Sequence, residues 1–339
     1  TKLPKNKSSD SPSVAPSTLR NIYQRFLNAI GLLSTLLILC IVVTISERMI
    51  TPDPVFLSIS NLFNIGRQTA ITAIVAMGMT FVIISGGIDL SVGSVMALSG
   101  CSFAVLYCDL HLPYGATLVL PVLAACCFGL LNGLLIVVGR LQPFIATLGT
   151  MSIARGVVLL ITQGRSISNF PESFYWLGGG RIFGMPVAPI LIMLVFAIIT
   201  HILLAHTKLG MLAYAIGGNE EATWLSGQNT SLNKIYLYVL CGGLSGVAGL
   251  LLASRLNATV PTMGTGEEFN AIAAAVIGGT SLMGGEGTIV GTVVGALIMS
   301  VVKNGLNLLN VSPFWQTFSI GAIVIIAVLV DQWRPGRRK

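Results

Sequence analysis

Between an apolar run at 185–205 and another at 235–255 the chain reads Gly217-Gly218-Asn219-Glu220-Glu221-Ala222-Thr223-Trp224-Leu225-Ser226-Gly227. This polar, helix-like insert stands out because 54% of the 339 residues are hydrophobic, only 9% are charged and 38 are glycine. The mean hydropathy is +0.85. Soluble domains carry about 25% charged residues, so the bulk of the chain belongs in a bilayer and the insert is where something soluble can dock. A hydrocarbon core about 30 Å thick needs roughly 20 apolar residues per helix and leaves no backbone group unpaired. The apolar runs are continuous, whereas a β-barrel would show short alternating strands. The predicted fold is an all-α polytopic membrane protein of about ten transmembrane helices, some of them broken or re-entrant.

Runs of sufficient length fall near 27–46, 67–85, 90–108, 114–138, 143–161, 185–205, 235–255, 269–284, 288–310 and 314–331. Lys2, Lys5, Lys7, Arg20 and Arg25 precede the first and Arg334, Arg337, Arg338 and Lys339 follow the last, so the positive-inside rule places both termini in the cytoplasm. The organisation expected is a disordered cytoplasmic tail over 1–25, a transmembrane domain over 26–332 with a cytoplasmic loop at 206–234, and a basic cytoplasmic tail over 333–339. The first apolar run is too long for the core of a cleavable signal, and none is expected.

Several functions are set aside. The six cysteines, Cys40, Cys101, Cys108, Cys126, Cys127 and Cys241, lie in or beside apolar runs without metal spacing, and His111, His201 and His206 are scattered, so no metal site is expected. The net charge of +7 gathers in the tails rather than on an aromatic-interleaved stripe, which speaks for membrane orientation and against nucleic acid. No catalytic triad or paired acid-base constellation is visible. No Gly-x4-Gly-Lys-Ser/Thr phosphate loop occurs, so the chain does not bind ATP through that device.

Gly86-Gly87 and Gly284-Gly285 interrupt apolar stretches, as half-helices ending inside a membrane do. The two interruptions echo each other at an offset of 198 residues: Gly86-Gly87-x4-Val92-Gly93-Ser94-Val95 matches Gly284-Gly285-x4-Val290-Gly291-Thr292-Val293. The echo is either a duplication or the self-similarity of Gly-, Ala- and Val-rich membrane sequence. Gly287, Gly291 and Gly295, four apart, predict a tight helix crossing, within the chain or across a dimer. Asp89 follows the first pair. A carboxylate in hydrocarbon needs a partner or a cavity; it either caps the next helix by accepting from Ser91 or Val92, lines a path, or relays protons. Arg155, within the fifth run, either snorkels or pairs with a carboxylate.

Four stretches in order, Gly86-Gly87-Ile88-Asp89-Leu90-Ser91-Val92-Gly93-Ser94, Phe144-Ile145-Ala146-Thr147-Leu148-Gly149-Thr150-Met151, Gly217 to Gly227, and Ile277-Gly278-Gly279-Thr280-Ser281 through Gly284-Gly285, resemble the permease subunit of bacterial monosaccharide ABC importers, the ribose-type permeases most of all. The resemblance runs from about Asn61 to Asp331. It implies an inner-membrane permease that pairs with a second copy amid membrane lipid. It also implies a cytoplasmic ATPase whose two nucleotide-binding domains hold ATP and Mg, and a periplasmic sugar-binding protein; this chain itself needs no cofactor. Ribose is the sugar the resemblance favours. An ion-coupled secondary sugar transporter is the alternative, and a receptor or scaffold without transport leaves the broken helices unexplained.

Within that reading the insert becomes the coupling element, comprising Gly217, Gly218, Asn219, Glu220, Ala222, Trp224, Leu225, Ser226 and Gly227. Asn219 is a good N-cap, Glu220 and Glu221 complement the helix start, and Gly227 ends a helix predicted over Glu220 to Ser226. Ala222, Trp224 and Leu225 give it an apolar face suited to a partner's groove; otherwise Gly-Gly-Asn is simply a surface turn. The helix-break or pathway group is Gly86, Gly87, Asp89, Ser91, Gly284 and Gly285. A sugar path needs uncharged hydrogen-bonding groups, for which Asn132, Gln142, Thr147, Thr150 and Asn270 are candidates, each equally able to bond between helices.

Overall fold

The computed structural model describes residues 17–181 and 184–332, with side chains from Ile30 onward. The order is α1 (Ser17–Ile50), α2 (Ile59–Ile84), α3 (Val92–Ala104, prolonged by a π-turn at Val105–Asp109), α4 (Tyr114–Val137), α5 (Pro143–Thr162), β1 (Ile167–Ser168), α6 (Glu172–Gly179), α7 (Ala188–His206), α8 (Lys208–Gly218), α9 (Glu220–Leu225), α10 (Thr230–Leu256), β2 (Ala258–Thr259), α11 (Glu267–Ile277), α12 (Ile289–Leu308) and α13 (Pro313–Gln332). Nine of these among the described residues are long and apolar enough to cross a membrane, and the chain is a multi-pass membrane protein. Residues 1–16 and 333–339 of the expected tails lie outside the described residues, and α1 begins at Ser17, inside the stretch read as a disordered tail.

Among the described residues the ten expected runs resolve into nine long helices and one broken passage, in keeping with the expected mix of whole and broken helices. The run at 269–284 holds only α11, 11 residues long and thus about 16 Å at 1.5 Å per residue. Apolar composition continues past Ile277, but Gly279 at φ +94 and Gly284 at φ +85 turn the backbone out of the helix. The eighth passage is therefore a half-helix followed by a break.

At the centre lies α2, buried continuously from Thr69 to Ile84 and packed against α7, α10, α11 and α12. Without a hydrophobic force between helices in lipid, close approach comes from small side chains. The spaced glycines of α12 are used inside the chain: a Cβ on Gly291 or Gly295 would overlap backbone atoms of Gly278 or Ala274 at and after the end of α11. The outer helices α1 and α13 turn large apolar side chains such as Leu37, Phe314 and Trp315 away from the bundle.

The hydrogen bonds sort the helix ends into two faces. On one, β1 pairs antiparallel with β2 through Ile167↔Thr259 and Ser168↔Ala258, and Arg165 meets Asp109 at 2.6 Å. The other gathers the ends of α2, α4, α8, α11 and α13 with the starts of α3, α5, α10 and α12. That second face carries the polar insert.

Candidate functional site: the polar insert and the two helix breaks

Local sequence sets the insert's geometry. Asn219 is extended (φ −161, ψ 101) and its Oδ1 accepts from the Ala222 N–H at 2.9 Å, which starts α9. Gly227 at φ +79 closes it, its N–H donating to the Trp224 carbonyl at 2.9 Å. Only Thr223 is buried, and its hydroxyl donates to the Asn219 carbonyl at 2.8 Å. Glu220 meets Lys234 of α10 at 2.6 Å, a partly exposed pair worth about 0–1 kcal/mol. Trp224 and Leu225 are 64% and 70% exposed. Beside Trp224 lies an open groove of about 480 Å³ continued by Gly227, Gln228, Asn229, Thr230 and Ser231. Two large apolar side chains thus stand open on a capped, anchored turn of helix.

The first break, residues 85–91, turns at Gly86 (φ +82) and is closed by side chains. Asp89, 1% exposed, accepts from the Ser91 N–H at 2.9 Å and the Ser91 hydroxyl at 2.6 Å. The Asn132 amide of α4 lies 3.3 Å from both carboxylate oxygens and donates to the Ser91 hydroxyl at 2.9 Å. Asn132 Oδ1 in turn accepts from Thr150 of α5 at 2.5 Å, and the Thr147 hydroxyl, which donates to Pro143 at 2.8 Å, lies 3.4 Å from the Ile88 carbonyl. Among the described residues Asp89 has no ion pair, so this hydrogen-bond network is what offsets its burial. The knot ties α3, α4 and α5 together.

The second break, residues 278–288, is closed mainly by backbone. Gly284 and Gly285 both have positive φ, +85 and +75, and the Gly285 N–H donates to the Ile84 carbonyl at the end of α2, 2.8 Å away. From α8, the Tyr214 hydroxyl donates to the Gly287 carbonyl at 2.7 Å. Asp331, near the end of α13, lies 3.4 Å from both the Ser281 hydroxyl and the Leu282 N–H. Gly217, the penultimate residue of α8, sits against both partners of the Ile84–Gly285 bond: a Cβ there would overlap the Ile84 oxygen and the Gly285 nitrogen. The insert's first residue, the end of α2 just before the first break, and the second break thus meet at one point.

The five candidate path residues do not form one site. Asn132, Thr147 and Thr150 lie in the Asp89 knot. Asn270, 2% exposed, donates to Glu267 at 2.8 Å, and Glu267 also holds Lys303 of α12 at 3.0 Å and accepts from Thr72 of α2 at 3.2 Å. Gln142 is exposed at the start of α5 and makes no capping bond. Arg155 donates to the Pro261 carbonyl and, at 3.1 Å, to that of Met263, so its hydrogen bonds go to a loop rather than to a carboxylate. The roles of Thr223, Tyr214 and Asp331 were missed by sequence reasoning; only Thr223 had a local signal, as the hydroxyl four residues after the cap. No group of three His, Cys, Asp or Glu among the described residues is placed to hold a metal.

Comparison with known proteins fits this architecture. Residues 61–328 match the family described as branched-chain amino acid transport system / permease component. The chain is 45% identical over 306 residues to the ribose import permease protein RbsC of Escherichia coli, covering 89% of this chain and 92% of that one. It is 43% identical over 289 residues to the RbsC of Haemophilus influenzae, covering 84% and 88%. With the D-allose transport system permease protein AlsC of Escherichia coli it shares 37% over 298 residues, 88% and 90% of the two chains. No solved structure matches. The chain belongs to this family of transport-system permeases and is the non-catalytic, membrane-spanning permease component of an ABC transporter.

Proposed function

We propose that the chain carries a monosaccharide, ribose foremost, inward across the bacterial inner membrane as one of two permease copies. A cytoplasmic ATPase with two nucleotide-binding domains, holding ATP and Mg, drives it through the insert, and a periplasmic binding protein delivers the sugar. The observation that carries the proposal is the exposed Trp224–Leu225 pair on a capped helix that directly follows α8. A partner closing on that pair moves a helix whose lead-in, Gly217 of α8, touches the end of α2 and the second break. The identity to ribose permeases supports ribose, and the matches to an allose and an L-arabinose permease, 37% and 38% identical, make a hexose and a second pentose the competitors. The insert face is then cytoplasmic, with both termini on it. An ion-coupled mechanism has less support, since the Asp89 carboxylate is already held by Ser91 and Asn132.

The test is affinity purification in mild detergent of the wild type and of the Trp224→Ala/Leu225→Asp variant at matched membrane levels. The ATPase should accompany the wild type and be lost with the variant; an ATPase retained by the variant, with full sugar uptake, contradicts the coupling role. Competition of labelled ribose uptake by allose and arabinose tests the sugar, and ribose displaced more readily by allose than by itself refutes the assignment.

A further inference from the structure

We propose that Gly217 is the bearing through which motion of α9 reaches the second helix break against the end of α2, and that its neighbour Gly218 need not be glycine for this. The inference rests on the coupling role proposed above for α9. Apart from α8, from which it continues, α9 packs closely only on the start of α10, so its route to the membrane core is the end of α8. There the Gly217 backbone touches the carbonyl that ends α2 and the amide that opens the turn before α12. Gly284 closes the same contact from the other side, since a Cβ on it would lie 2.9 Å from the Gly217 oxygen and 3.1 Å from the Ile84 oxygen. One turn earlier on α8, Tyr214 is hydrogen-bonded to the Gly287 carbonyl at 2.7 Å.

Three backbones in contact, without intervening side chains, have no rotamers through which a displacement can dissipate. Packed elements of this kind shift between discrete arrangements instead of deforming continuously. Gly217 has no positive φ, so glycine is required there by the approach alone. Gly218 is also helical, yet a Cβ on it would meet nothing within 4 Å. Two adjacent glycines, alike in sequence, therefore make opposite predictions.

The experiment measures sugar uptake and ATP hydrolysis by the complete transporter, with its ATPase and binding protein, in liposomes for wild type, Gly217→Ala and Gly218→Ala. Gly217→Ala should keep the ATPase bound and hydrolysing while uptake per ATP falls about tenfold, within the range by which coupling residues act; Gly218→Ala should match the wild type. Uptake per ATP in Gly217→Ala equal to wild type, or an equal loss in Gly218→Ala, overturns the proposal. If Gly217→Ala does not accumulate in the membrane, Gly284→Ala decides, because its Cβ presses on the same backbone contact from the other side and less severely, 2.9 Å from the Gly217 oxygen. It should lower uptake per ATP severalfold, and an unchanged ratio overturns the proposal. Failure of the underlying coupling role is separately visible: the Trp224→Ala/Leu225→Asp variant would then still bind the ATPase and transport.

Discussion

Each break contains one of the echoed Gly-Gly pairs, Gly86-Gly87 and Gly284-Gly285, and the two are secured in different ways. At 85–91 a buried carboxylate organises Ser91, Asn132 and Thr150 into a knot spanning three helices. At 278–288 the closing contacts are chiefly glycine backbones against the end of α2 and the end of α8. A side-chain knot holds its helices in one arrangement, because every member must be satisfied and a half-satisfied buried network is costly. A backbone contact resists compression but has little to break when its parts slide. The first break is thus suited to be a fixed anchor and the second to be a moving joint beside the insert.

The contrast is broken most severely by Asp89→Ala, which orphans the buried Ser91 amide and one N–H of the Asn132 side chain at about 1–3 kcal/mol each. Thermal unfolding in detergent should show a large drop in midpoint, and Asp89→Asn, which keeps one acceptor, a smaller one. If Asp89→Ala were as stable as wild type, the anchor would not exist.

A sharper version compares Gly86→Ala with Gly284→Ala. Both impose an L-residue on a left-handed backbone (φ +82 and +85), at about 1–2 kcal/mol. A Cβ at 86 meets nothing within 4 Å, while one at 284 presses on Gly217 and Ile84. Similar destabilisation is expected, with loss of uptake per ATP only in Gly284→Ala; equal losses would remove the distinction between anchor and joint.

Thr150→Val comes next. It leaves the Asn132 Oδ1 unpaired and should lower the unfolding midpoint by the equivalent of about 1–3 kcal/mol while leaving the KM for sugar unchanged. A raised KM at unchanged stability would place Thr150 on the sugar path instead of in the knot. Gln142→Ala is the smallest expected effect on stability, within about 0.5 kcal/mol for an exposed side chain. Any change in uptake KM from that substitution would therefore report contact with sugar or partner.

Features governed by neighbouring residues were legible in the sequence. Composition and run length give the class and nine spans, and Asn219 announces its own cap because the amide that it accepts from is three residues on. Apolar run length did not reveal that α11 stops at Ile277, since hydropathy is blind to the positive φ of Gly279. The Asp89 knot was half legible: a buried carboxylate demands partners, and Ser91 was adjacent. Asn132 and Thr150 lie 43 and 61 positions beyond Asp89, where only the packing of α4 and α5 on α3 brings them together. Gly217 and Gly218 show the limit most clearly, because the close approach that separates them belongs to Ile84 and Gly285, far away in the chain.

Entry of energy at α9 is tested most directly by replacing Trp224 with a photo-crosslinking amino acid in membranes holding the assembled transporter. An irradiation-dependent adduct with the ATPase is expected, strongest at this position and absent from an identical probe at Leu37 on the exposed side of α1. Adducts with lipid or with the periplasmic binding protein alone, and none with the ATPase, would contradict it.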